Sequence, residues 1–181
     1  MIFGITGTLG AGKGTVVECL KTKGFKHFSA RAFFIEEVNR RGLPLSRDNI
    51  TDIADDLRAK YGSGYFAQAA FKRIEEQGGG DVVIESIRTT GEAEYLKSRD
   101  VILWAVDADI KKRYERIAKR ASETDKVSFE KFVADEQREI ASPDPTKGNI
   151  AGVMKMADRI FINNGTPEDL FAQVEAALAK V

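Results

Sequence analysis

Gly7-Thr8-Leu9-Gly10-Ala11-Gly12-Lys13-Gly14-Thr15 follows directly on the apolar run Met1-Ile2-Phe3-Gly4-Ile5-Thr6. A short apolar run emptying into glycines reads as a buried strand, and Val16, Cys19 and Leu20 mark the apolar side of a helix that begins next. Strand, glycine-rich turn and helix in that order make a phosphate-binding loop. Gly7, Gly10, Gly12 and Gly14 let backbone N–H groups crowd around a polyphosphate, Lys13 adds a positive charge, and the helix points its N-terminus at the anion. The implied ligand is a nucleoside triphosphate, seated on Gly10, Ala11, Gly12, Lys13, Gly14 and Thr15. Gly14 stands where a Ser or Thr usually follows the lysine, and the hydroxyl comes one residue later at Thr15. Thr15 is therefore expected to reach Mg²⁺ through water rather than directly.

Further strand-length apolar runs occur at Lys26–Ser29, Asp81–Glu85, Val101–Val106 and Arg159–Asn163, separated by stretches with helical spacing. Parallel neighbours need a helix-length crossover, so alternating strands and helices predict an α/β fold with a five-stranded parallel sheet covered on both faces. The last helix is the clearest. Thr166-Pro167-Glu168-Asp169 supplies a cap, a first-turn proline and an acid, and Leu170, Phe171, Val174, Leu178 and Val181 form one face. Two connections exceed what a crossover requires, about 30–80 and 107–158. The first should carry helices over Ala32–Arg41, Arg47–Tyr61 and Tyr65–Gln77, broken by Gly42-Leu43-Pro44 and Gly62-Ser63-Gly64. Insertions above the carboxyl ends of parallel strands are placed to clasp a second substrate.

A chain of 181 residues, 43% hydrophobic, suits a single domain spanning 1–181. Lys plus Arg and Asp plus Glu number 28 each, so no overall field favours nucleic acid or an anionic membrane, and neither is expected as a partner. One cysteine, Cys19, excludes an intrachain disulfide; it reads as a core residue, and the lone His27 as structural. With no charged leader or long apolar stretch, the cytoplasm is the expected location, as a monomer or homodimer.

The third strand delivers a carboxylate at its end, in Val82-Val83-Ile84-Glu85 followed by Ser86-Ile87-Arg88. Glu85 beside a phosphate loop suits the hydration shell of Mg²⁺, and Arg88 suits an acceptor phosphate. The helix over Asp109–Ala121 sets Ile110, Tyr114, Ile117, Ala118 and Ala121 on one face and Arg113, Arg116 and Arg120 on another. A polar turn, Ser122-Glu123-Thr124-Asp125, leads to a second helix from Ser128 with Phe129, Phe132, Val133 and Ile140 inward and Arg138 elsewhere. Phe33, Phe34, Tyr65 and Phe66 read either as core or as a pocket for a base.

The form Gly-x-x-Gly-x-Gly-Lys-Gly-Thr resembles the loop of adenylate kinase and related P-loop nucleoside monophosphate kinases. Glu85-Ser86-Ile87-Arg88 is similar to the Asp-Gly-(x)-Arg turn of that superfamily and of dephospho-coenzyme A kinases, with Glu for Asp and Ser for Gly. The resemblance implies a three-layer P-loop kinase fold, an acceptor-binding insertion at about 30–80 and a lid at about 113–142. It implies lid arginines closing over the transferring phosphoryl group, Arg116 and Arg120 first, Arg113 and Arg138 behind them. It puts Asn164, in Asn163-Asn164-Gly165-Thr166, against the adenine of ATP, although Asn-Gly also suits a plain turn. It is weakest after the second strand. There Ser-x-x-Asp-x-x-Arg is expected and Ser29-Ala30-Arg31-Ala32-Phe33-Phe34-Ile35 is found, leaving Arg31 to replace the lost charge.

The cofactors implied are ATP and Mg²⁺, and the partner a small-molecule nucleotide. Lys13, Glu85, Arg88, Arg116 and Arg120 are the expected catalytic set, with Arg31, Arg88 and Phe34 on the acceptor. A monophosphate acceptor is already anionic, whereas a hydroxyl acceptor profits from a carboxylate base. Residues 25–35 hold no Asp or Glu, which favours a nucleoside or deoxynucleoside monophosphate kinase over a dephospho-coenzyme A kinase. Glu85 remains the candidate base for the second. The missing acid and arginine at Ala32 and Ile35 keep a third reading open, a nucleotide-binding sensor with weak or no turnover.

Overall fold

Strand β1 (Ile2–Gly7) is buried from Phe3 onward, as a strand covered on both faces must be. In the computed structural model, which describes residues 1–120 and 127–181, β1 lies at the centre of a five-stranded parallel sheet. The order is β2-β3-β1-β4-β5, with β2 at Lys26–Ser29, β3 at Val82–Glu85, β4 at Ile102–Asp107 and β5 at Arg159–Ile162. The predicted α/β class and parallel sheet are what the chain adopts, with each strand within a residue of its expected ends.

Helices α1 (Lys13–Thr22) and α9 (Pro167–Leu178) cover one face. There Phe3, Ile5, Val17, Leu20, Trp104, Phe161, Leu170 and Val174 pack into one core, and Cys19 is buried among them. The opposite face carries α2 (Ala30–Arg40), α3 (Arg47–Tyr61), α4 (Tyr65–Glu76), α5 (Thr90–Lys97) and α8 (Ile150–Lys155), which build a second core around Ile84, Ile87, Leu96 and Leu103. Phe3 and Ile5 supply one core, and Val82 and Ile84 the other, through the period-two alternation of strands. Helices α6 (Ile110–Arg120) and α7 (Phe129–Ile140) stand between β4 and α8.

Local chemistry sets these boundaries. Ser29, Ser46 and Ser128 each accept a backbone N–H at the start of α2, α3 and α7, and Thr89 and Thr166 form capping boxes with Glu92 and Asp169. Helix α1 has no side-chain cap and no acid in its first turn.

Several sequence expectations need correcting. Val181 lies beyond α9 and is exposed. On α6, Ala118 is exposed whereas Arg113 is buried, because guanidinium hydrogen bonds compensate its burial where an alanine contributes little apolar area. Phe129 begins α7 half out of the core, meeting Tyr114 edge to face and stacking on Phe132. Ala121 and the turn 122–125 lie outside the described residues.

Candidate functional site

Four strand ends and the helices beyond them open into one cavity of about 650 Å³. Its floor is the loop from Gly10 to Thr15. Gly10 and Gly12 hold left-handed backbone at φ 78° and 108°. A Cβ on Gly10 would fall 2.5 Å from the Arg113 carbonyl oxygen, and one on Gly12 would fall 2.3 Å from Asn163 Nδ2. These glycines are demanded by conformation and by close packing together. Gly14 is different, with open space where its Cβ would be. Ala11 is fully buried beneath the loop, and its carbonyl accepts from Asn163 Nδ2 at 2.7 Å.

Lys13 folds back so that Nζ donates to the Gly7 and Thr8 carbonyls, both at 2.9 Å. Burial pulls its pKa down to about 8, against the opposing pull of Glu85. Thr8 Oγ1 donates to Asp107 Oδ1 at 2.6 Å, which ties the loop to the end of β4. Asp107 is a second strand-end carboxylate, opposite Glu85 across β1.

The β3 turn supplies the next wall. Ser86 takes φ 73°, a conformation natural to the glycine it replaces in the resembling motif, while Ser86 and Ile87 donate their N–H groups to the Ile5 carbonyl. The turn presents Glu85 and Arg88 to the cavity. Glu85 Oε2 accepts a hydrogen bond from His27 Nε2 at 3.1 Å. Burial raises the Glu85 pKa, but the His27 hydrogen bond and the charges of Lys13 and Arg88 outweigh it and leave it below the usual carboxylate value. His27 thus reaches the site through Glu85. Arg88 Nη1 donates to Glu139 Oε2 at 2.6 Å, and Glu139 also lines the cavity.

Arg116 and Arg120 close the far side from α6. Arg116 Nη2 donates to the Asn163 carbonyl at 2.9 Å and the Gly165 carbonyl at 3.3 Å, while its buried Nη1 has no hydrogen-bond partner among the described residues. Arg113 serves the framework instead. It is buried, donates to the Ala108 carbonyl at 2.7 Å and the Leu9 carbonyl at 3.3 Å, and forks onto Glu136. Arg138 bonds Asp52 at 2.9 Å on the outer side of α3. Its side chain is not part of the cavity wall.

Asn164, expected against the adenine, bonds to the start of α6. Its Oδ1 accepts from the Asp109 N–H at 2.8 Å and its carbonyl from Lys112 Nζ, which turns it toward α6. Asn163, Gly165 and Pro167 are the members of that loop lining the cavity. On the acceptor side, Arg31, Arg47, Ile50 and Thr51 complete the wall from α2 and α3. Phe34 lies deeper, 3% exposed, and with Phe33, Tyr65 and Phe66 forms an aromatic cluster of the core. Glu136 and Glu139 carry no mark in the sequence, because a helical carboxylate looks like any solvated one until its partner is known, whereas Asn163 belongs to the loop already singled out and enters the site through its bond to the Ala11 carbonyl.

Thr15 and Glu85 line the cavity with hard oxygen donors. That small set fits Mg²⁺, which keeps several waters and takes phosphate oxygens as ligands.

A parallel five-stranded sheet with this loop at the end of its central strand is the P-loop kinase fold. The chain belongs to the family described as AAA domain, matched over residues 4–141, and to the UPF0200 family. Over the whole chain and 90% of the relative's length it is 30% identical to UPF0200 protein MJ1399 of Methanocaldococcus jannaschii. Among solved structures it resembles shikimate kinase from Bacteroides thetaiotaomicron, with TM-score 0.60 and 13% identity over 99% of this chain and 98% of that one. It also resembles dephospho-CoA kinase from Campylobacter jejuni, with TM-score 0.57 and 17% identity over 99% and 96%. Among the described residues no helix is long and apolar enough to cross a membrane.

Proposed function

We propose that this protein transfers the γ-phosphoryl group of ATP to a nucleoside or deoxynucleoside monophosphate. The observation that carries the reading is the convergence of Lys13, Glu85, Arg88, Arg116 and Arg120 on one cavity, with Arg31 on its other side. Residues 30–80 would hold the acceptor and 113–142 would act as the lid, in a cytoplasmic protein.

The loop amides at the start of α1 and the Lys13 ammonium bind and orient the triphosphate. Lys13 would leave the Gly7 and Thr8 carbonyls for phosphate oxygens, exchanging neutral acceptors for charged ones. Mg²⁺ carried by the nucleotide, held near Thr15 and Glu85, would neutralise charge on the β- and γ-phosphate oxygens. Arg88 fixes the acceptor phosphate in line. Arg116, with one guanidinium nitrogen uncommitted, and Arg120 offer donors where charge develops, and a closed lid excludes water.

A second reading has its own support in the Glu85–His27 hydrogen bond. A carboxylate kept ionised beside the phosphate loop suits a hydroxyl acceptor, of which dephospho-coenzyme A is the one the sequence resemblance implies. The test is ADP formation from Mg·ATP against ribo- and deoxyribonucleoside monophosphates and dephospho-coenzyme A, scored above the water-only rate. Stimulation by a monophosphate supports the first reading and stimulation only by dephospho-coenzyme A the second. ATP binding without stimulation by any acceptor would sink both and leave a nucleotide sensor.

A further inference from the structure

Beyond Arg31, Ile50, Thr51, Arg88 and Glu139, which it shares as walls, the main cavity continues into a recess of about 40 Å³. Phe34, Ile50 and Ala54 make it apolar, and Arg58 and Asp55 of α3 give it polar groups. Arg58 is 2% exposed and is the largest fully buried side chain of the described residues. Its Nε donates to Glu92 Oε1 at 3.0 Å, its Nη1 lies 3.7 Å from Asp55 Oδ1, and its guanidinium carbon sits 5.3 Å from the Phe34 ring centre. Nη2 is buried with no hydrogen-bond partner among the described residues.

A buried guanidinium donor left unpaired is costly, whereas the same donor meeting an oxygen forms a strong, charge-assisted bond. Glu92, fully buried, compensates the charge of Arg58, so the recess does not demand an anion to balance it. Its size sets the other limit. One water needs roughly 10–15 Å³ of such space, so the recess admits a group of a few heavy atoms and no ring.

We propose that this recess seats a planar oxo group, a carbonyl or a carboxylate, borne by the phosphoryl acceptor, and that Arg58 reads it. The proposal rests on the phosphotransfer reading for the identity of the molecule, not for the existence of the site. An acceptor whose reacting oxygen lies beside Arg88 would extend this group past Thr51 into the recess. The site is also wired to Arg88. Glu92 accepts from Arg58 through Oε1 and from the Arg88 N–H through Oε2 at 2.9 Å, so one carboxylate orients both the reader and the turn that holds the phosphate.

The test titrates the intact protein with acetate and, separately, acetamide, following the guanidinium N–H resonances of Arg58 by NMR. Both probes are small enough for the recess. The expected result is a saturable shift of the Arg58 signals on the order of millimolar. Ala54→Met, which fills the recess but leaves the Arg58–Glu92 pair in place, should weaken binding by about tenfold or more. If that variant does not fold, Ala54→Val narrows the space more gently and is expected to act in the same direction. A response to acetate alone identifies a carboxylate, one to acetamide alone a carbonyl, and one to both the shared oxo chemistry. Silence toward both probes, or equal shifts in wild type and the folded Ala54 variant, overturns the proposal. Neither result depends on turnover, so the absence of acceptor-stimulated ADP release would count against the phosphotransfer reading alone.

Discussion

Arg88 Nη1 stands 2.6 Å from Glu139 Oε2, and this ion pair joins the turn after β3 to helix α7 across the mouth of the cavity. The arginine expected to hold an acceptor phosphate is therefore paired with a carboxylate. On the proposed function, an acceptor phosphate would have to displace Glu139 from Arg88, so the pair would oppose acceptor binding. Glu139→Gln keeps a hydrogen-bonding group of the same shape and removes the competing charge. We expect it to tighten phosphate binding about three- to tenfold, the effect of roughly 1 kcal/mol of relieved competition. Titration of wild type and variant with inorganic phosphate checks this; unchanged or weaker binding would refute the competition.

Lys13 predicts a proton linkage. Its folded pKa of about 8 lies below the ordinary lysine value of 10.5, so between those values the unfolded chain binds more protons and stability rises with pH. Burial disfavours the charged form of Lys13, and a bound polyphosphate would offset that penalty. Binding of an ATP analogue at pH 8 should take up about half a proton, falling toward zero near pH 6. Calorimetry in buffers of different ionisation enthalpy measures this directly. Lys13→Ala should abolish the uptake and lower phosphoryl transfer by a factor on the order of a hundred or more.

His27 should govern the acid limb of activity. Its hydrogen bond helps hold the Glu85 pKa below normal, so His27→Ala moves that pKa upward. If ionised Glu85 is required, the pH at which kcat/KM is half lost on acidification shifts upward in the variant. A pH profile of unchanged position with a uniformly lower rate would make His27 a framework residue only.

The two glycines flanking Lys13 should respond oppositely to substitution. Gly12→Ala combines a φ of 108° with a Cβ 2.3 Å from Asn163 Nδ2, and we expect a loss of about 2 kcal/mol or more in stability. Gly14→Ser meets open space within the first turn of α1 and should be neutral to stabilising by about 0.5 kcal/mol. Urea denaturation of the two variants decides it.

Ser86 carries strain at the turn between Glu85 and Arg88. Its φ of 73° costs a non-glycine residue about 1 kcal/mol, so Ser86→Gly should raise stability by about that amount in the same assay. A fall in stability would mean that Ser86 contributes contacts exceeding its backbone cost.

The fold was legible because its signals are local. Strands buried on both faces leave unbroken apolar runs such as Val82-Val83-Ile84, and caps such as Thr166 with Asp169 mark a helix start within four residues. The short helices α5 and α8 left weaker marks because each spans only two turns or so. The surface of α6 was misjudged because periodicity assigns arginine outward, whereas Arg113 is buried on the carbonyls of Leu9 and Ala108 and on Glu136, partners from three separate elements.

The phosphate loop, the parallel sheet and the strand-end pair Glu85 and Arg88 follow from the order of residues alone, since each rests on neighbours along the chain. Only the tertiary structure decided which charges meet. Arg88 faces Glu139 from 51 residues away, Arg58 faces Glu92 from 34, and His27 faces Glu85 from 58. The physical reason is that an ion pair depends on distance and burial, and neither is written in the spacing of charged residues along the chain.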